Sequence, residues 1–206
     1  MTTLADLQAT ISRSLRDTGN ATWSLPEVND LINEGIDQVS EFYPKEIVQT
    51  VGTVAAGVYT YSAAGLSNIF RLDIYSSAGS YVGEMDLAQF GGRQGGWQIH
   101  GGTIYLPTMM PLTVGNTLEA WGYGRYAQLS ASTQTTDMDQ AAIWAVNLYC
   151  QVEGFQRLVG DRVAFAQWQT GGGNSDISLL QMARIIASVQ MRWRREQGRL
   201  RRMRKR

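Results

Sequence analysis

Apolar residues recur every three or four positions at both ends of this chain and alternate over shorter runs in its middle. Leu4, Leu7, Ile11 and Leu15 mark one stripe of a helix, which DTGNAT at 17–22 then breaks. The next stretch, WSLPEVNDLINEGIDQVSEFYP, carries a full set of helix signals. Ser24 is placed to cap the helix, and Glu27, three residues on, to reach back. Trp23 and Val28 stand at the two staple positions, and Pro26 falls in the first turn, where a missing N–H costs little. Val28, Leu31, Ile32, Ile36, Val39 and Phe42 form one face, and Pro44 ends the run. The opposite face is acidic: Glu27, Asp30, Glu34, Asp37 and Glu41.

From about Ile47 the texture changes. VQTVGTV, VYTYSA, FRLDIYSS, WQIHGGTIYLP and NTLEAWGYGRY are short, rich in Val, Thr, Ile and aromatics, and punctuated by glycine. Strands at this spacing suit a small sandwich or barrel. Helix returns at about Asp137, where Ile143, Val146, Cys150 and Leu158 lie on a stripe. GDRVAFAQWQTGGGNSD is read as a connection with some helical character. A final long helix follows Ser178, with Leu179, Met182, Ile185, Ile186, Val189 and Trp193 on one face.

The predicted fold class is α+β. The N- and C-terminal helices form a bundle, a small antiparallel β-sandwich or barrel is inserted between them, and a basic helix or arm extends at the C-terminus. The expected domains are 1–46 with 135–190 (helical), 47–134 (β) and 191–206 (arm).

Charge sharpens this picture. The chain has 18 Lys and Arg against 18 Asp and Glu, a formal net charge of zero. Yet residues 181–206 hold nine Arg and one Lys against a single acid, Glu196, a surplus of nine positive charges that the remaining residues balance. An acidic body with a cationic segment at one end suggests an interaction surface. A single cysteine, Cys150, excludes an intramolecular disulfide and suits a reducing compartment. No apolar run approaches the roughly 18 residues of a membrane span, and MTTLADLQAT has no signal-peptide pattern. The expected site of synthesis and use is a cytoplasm, with no membrane partner.

Catalysis finds little support. The one histidine, His100, sits in QIHGGT, which reads as a hairpin end. Cys150 lies among apolar helical positions and reads as a small buried residue. There is no Cys/His cluster for zinc, and Asp137 and Asp139 read as helix-start acids. GGRQGGW at 91–97 and GGG at 171–173 match neither phosphate-cradling pattern and read as turns. No cofactor is expected. Trp121, Tyr123 and Tyr126, interleaved with Arg125, suit one face of a sheet better than base stacking.

The functional signal is the basic segment: Arg192, Trp193, Arg194, Arg195, Arg199, Arg201, Arg202, Arg204, Lys205 and Arg206. Three readings are open: a solvated helix end, a grip on a polyanion such as nucleic acid, or docking in an acidic protein groove. Its charge density implies that it orders only when docked.

The order of segments resembles the head-to-tail adaptor (connector) proteins of tailed bacteriophages. TLADLQATISRSLRDTGNATWSLPEVNDLINEGIDQVSEFYP is similar to the family's opening helix, loop and second helix with an INEG-like core. TVAAGVYTYSAAGLSNIFRLDIY and GGTIYLP…PLTVGNTLEAWGYGRYAQLS resemble its β insert, and DQAAIWAVNLYCQVEGFQRLVGD with the helices after GGGNSD resembles its closing helical part. The resemblance implies a non-enzymatic structural virion protein in the neck, at the head–tail interface, assembled in the host cytoplasm. It implies a homo-oligomeric ring, commonly a dodecamer of 12 copies, between the portal protein and a tail or stopper protein. DNA would pass through the ring's channel, and the C-terminal segment would dock on the portal. The alternative is a nucleic-acid-binding protein that uses the arginine-rich C-terminal arm.

Overall fold

Thr3 and Asp6 cap each other across the first turn of α1 (Leu4–Ser14), which buries Leu4, Leu7 and Ile11. The structure, a computed structural model, describes residues 2–85, 96–107 and 112–203. After α1 the chain turns around Asp17. Its carboxylate is 1 % exposed and accepts the backbone N–H groups of Ala21, Thr22 and Trp23 at 2.8–3.0 Å. A buried carboxylate with three donors fixes the turn and hence the start of α2.

α2 (Leu25–Phe42) begins with the Ser24–Glu27 capping box, with Pro26 in its first turn and Trp23 and Val28 both buried. Its inner face is the apolar set predicted from the sequence, joined by Gly35. There a Cβ would meet the Val146 and Tyr149 side chains at 3.1–3.2 Å, so glycine lets the two helices approach. α3 (Gln140–Gly160) is the central helix. It is buried on more sides than its predicted stripe, through Ala142, Ala145, Asn147, Leu148, Val152, Gly154 and Phe155 besides Val146, Cys150 and Leu158. Small residues make that all-round burial sterically possible.

α4 (Arg162–Gly171) occupies the segment read as a connection, capped by Asp161, whose Oδ1 accepts from Val163 and Ala164 N–H. α5 (Leu179–Met203) starts from another reciprocal cap, Ser178 with Gln181. It buries Met182, Val189 and Leu200 and half-buries Ile185, Ile186 and Trp193, while Leu179 stays 53 % exposed. Met1–Pro44 and Tyr126–Arg206 belong to one unit. Two polar clamps hold its distant segments together. Asn33 exchanges two hydrogen bonds with the Leu129 backbone, at 3.0 and 2.9 Å. Ser40 Oγ accepts from Tyr126 N–H at 3.2 Å and donates to Ile36 C=O.

Lys45–Arg125 forms the second unit. Its larger sheet is antiparallel, in the order β1 (Lys45–Thr53), β7 (Thr117–Gly124), β3 (Ser67–Tyr75), β4 (Tyr81–Met85). The smaller sheet runs β2 (Thr60–Ser62), β6 (Thr103–Tyr105), β5 (Gln98–His100). Both contribute to one apolar cluster that includes Leu72, Met85, Trp97, Ile104 and Leu118. β7 alternates strictly, with Leu118, Ala120, Gly122 and Gly124 buried and the intervening residues half-exposed. Gly101 and Gly102, both at positive φ, close the two-residue hairpin between β5 and β6, where the sequence places a hairpin end. The fold class is α+β, with five helices and two antiparallel sheets among the described residues.

Candidate interaction surface

α5 is 25 residues long, which makes it about 37 Å from end to end. Its second half contains most of the basic segment, and the helix divides these residues by function. Trp193 points inward. Its ring meets Phe42 edge-on at 5.4 Å and Tyr149 at 5.7 Å. Leu200, two turns later, is fully buried in the helical core. The segment is helical as far as Met203, and Trp193 and Leu200 tie it to the helical core.

The guanidiniums differ accordingly. Arg199 forks onto Glu196, with Nε 2.9 and 3.0 Å from the two carboxylate oxygens and Nη2 closing the fork. That hydrogen-bonded pair holds the Arg199 guanidinium above its usual range. Arg201 lies over the Phe42 ring, 6.0 Å from its centroid. Arg192 faces a cleft beside α5. Arg194, Arg195 and Arg202 are exposed and form no ion pair with the described residues. Arg204, Lys205 and Arg206 lie outside the described residues. The surface on offer is thus a short row of exposed guanidiniums on a helix held from behind by Trp193 and Leu200. Arginines in that setting fork onto carboxylate or phosphate oxygens at little ordering cost.

The other residues weighed for chemistry take structural roles. Cys150 is fully buried, its Sγ 3.3 Å from Leu31 C=O, and burial pushes its thiol up. Tyr149, on the same helix, is raised to about 12 by burial first and by nearby carboxylates second. Thiol reagents should therefore label the native protein only as fast as it unfolds, and the denatured protein at once. Rapid labelling under native conditions would contradict this packing. His100 is exposed and meets Tyr105 edge-on at 5.9 Å. Trp121 is cross-strand from Arg71, whose guanidinium sits 5.2 Å over its ring, and its indole N–H donates to the buried Asp73 at 2.9 Å. Tyr123 leans on Phe70, and Tyr126 is buried in the helical unit. These aromatics are divided between the two units. Residues 91–95 of the glycine-rich GGRQGGW lie outside the described residues, while its Trp97 is fully buried and donates to Met85 C=O at 2.9 Å. GGG at 171–173 ends α4, with Gly173 at positive φ. No group of three or more His, Cys, Asp or Glu among the described residues could hold a metal ion. None of the described helices is long and apolar enough to cross a membrane.

A family model, the SU10 adaptor protein, matches residues 2–201, spanning both units and most of the basic helix. The chain belongs to the SU10 adaptor protein family. No curated protein matches it closely enough to add a relative. The adaptor is a phage protein with a structural connector role. Sequence reasoning groups the cations as one surface and does not separate the residues that anchor the helix from those that face outward. The available signal is Leu200 itself, an apolar residue among arginines and eleven positions after Val189, which puts both on one helix face.

Proposed function

We propose that the adaptor forms a ring of identical copies in the phage neck, between the portal and a tail or stopper protein. The ring continues the channel through which DNA passes, and its work is mechanical rather than catalytic. The outer face of α5, with Arg194, Arg195, Arg201 and Arg202 and the following Arg204, Lys205 and Arg206, docks on the portal. The observation that carries this reading is the fixed row of exposed guanidiniums at the end of a helix whose inner face is already satisfied. A charged helix held from behind suits a protein groove lined by carboxylates, because little ordering entropy is lost on docking. The acidic remainder of the chain supports passage of DNA, since like charge removes phosphate attraction.

The test is the native mass of the neck complex carrying this chain, before and after nuclease, for the wild type and for R194Q/R195Q/R202Q. A nuclease-resistant assembly of integral stoichiometry, from which the triple variant drops out at the portal joint, is the expected result. A mass that collapses with nuclease would instead assign the arginines to nucleic acid. Substitution is preferable to truncation after Gln190, which would also remove Trp193 and Leu200 from the core.

A further inference from the structure

A second concentration of positive charge lies beside α5, toward its middle. A half-open cleft with a volume of about 380 Å³ is lined by Arg16, Arg184, Arg192, Ser188 and Gln151, with Trp168 at its floor. The three arginines come from distant parts of the chain, one just after α1 and two from α5, so no single helix accounts for them. All three are exposed, and none forms an ion pair or side-chain hydrogen bond with the described residues. Arg16 is held in place by its backbone. It adopts φ +56, its N–H donates to Arg13 C=O at 3.1 Å, and its carbonyl accepts from Asn174 Nδ2 at 3.1 Å. Three like charges around one concavity repel each other and focus a field that favours an anionic occupant.

The same chain carries a surface with the matching charge. The outer face of α2 holds Glu27, Asp30, Glu34, Asp37 and Glu41. Within the chain, Glu27 is occupied by the Ser24 cap, Glu34 by Arg157 at 2.6 Å and Asp37 by Gln128 at 3.0 Å. Asp30 and Glu41 are exposed and make no ion pair with the described residues. They are three turns apart on one line of the helix, about 16 Å. Arg184 and Arg192 span about 12 Å along α5, within reach of both carboxylates given the length of an arginine side chain.

We propose that the cleft at Arg16, Arg184 and Arg192 receives the acidic outer face of α2 from a second copy of this chain. The inference rests on the ring reading and names the surfaces that would build the ring. The two surfaces are different patches of one molecule, so the contact is head-to-tail and propagates from copy to copy. It is predominantly electrostatic and therefore weakens with salt.

Two charge-reversed full-length variants test it. R184E/R192E makes the cleft acidic, and D30R/E41R makes the helix face basic. Each alone should remain monomeric by light scattering at concentrations where the wild type assembles. An equimolar mixture should assemble again, because each variant's altered surface fits the other's. All these residues are exposed, and unchanged circular dichroism would report intact folding. R184Q/R192Q, which removes charge without reversing it, should weaken assembly in the same direction. If each variant assembles alone like the wild type, the ring stands and the cleft contact is wrong. If both variants stay monomeric even when mixed, the surfaces do not face each other and the inference is overturned. A wild type that never self-associates, with or without its portal, removes both readings.

Discussion

Alanine at Trp168 should lower the unfolding free energy by about 3–5 kcal/mol. The indole is fully buried at the meeting of three helices. It stacks on Phe165 at 5.9 Å, meets Phe155 edge-on at 6.4 Å, and donates its N–H to Leu15 C=O at 2.8 Å. Removing it opens a cavity and also strips the partner from a carbonyl at the end of α1, a loss of about 1–3 kcal/mol that places the cost of alanine toward the upper end of its range. Against a typical total of about 5–15 kcal/mol, the loss is enough to leave the helical unit marginal. Trp168→Phe keeps part of the ring contact but loses the donor and one ring of the indole, so it should cost less than alanine. Denaturant midpoints followed by far-ultraviolet circular dichroism would separate the two. A loss below about 1 kcal/mol for alanine would mean that the site collapses around the gap.

Leu200→Ala should cost about 2–5 kcal/mol, an unusual penalty for a position flanked by arginines. Leu200 is fully buried, whereas Arg199, Arg201 and Arg202 on either side are exposed. Loss of this anchor should free the last turns of α5, so amide exchange from residues 194 to 203 should accelerate more than in the rest of the helical unit. Arg202→Gln should change stability by no more than about 0.5 kcal/mol. The pair distinguishes holding the helix from using it. A variant that loses stability without losing surface charge, and one that does the reverse, should affect neck assembly by different routes.

The sequence is most legible where local chemistry and tertiary packing agree. The capping box at Ser24 and Glu27, the staple positions Trp23 and Val28 and the stop at Pro44 all predict α2, and α2 is there. The hairpin at HGGT and the alternation of β7 are equally plain, because glycine at positive φ and period-two burial are local constraints. α4 is less so. Only Phe165 and Trp168 are buried on it, too few to set a period in ten residues, and the three glycines at its end suggest a loop. α3 misleads differently. Its burial is nearly all-round, so a search for one stripe finds only part of the core. Asp17 reads as part of a helix-breaking segment, since nothing in a lone aspartate announces three backbone donors converging on it. The arginine cleft is invisible for the same reason: Arg16 and Arg184 meet only after folding.

The helical unit is closed by pairs whose members precede and follow the β unit in the sequence, such as Asn33 with Leu129, Ser40 with Tyr126 and Leu15 with Trp168. On a translating ribosome this reverses the order of completion. α1 and α2 emerge first, with Leu7, Ile11, Ile32 and Ile36 uncovered. They then wait while the roughly 80 residues of Lys45–Arg125 are synthesised, which at about 5–20 residues per second takes on the order of ten seconds. The β unit, whose strand pairs all lie within its own span, can finish in that interval. The first segments made are thus among the last to be sheltered, and nascent copies on one polysome are most open to mispairing, and to chaperone capture, through those two helices.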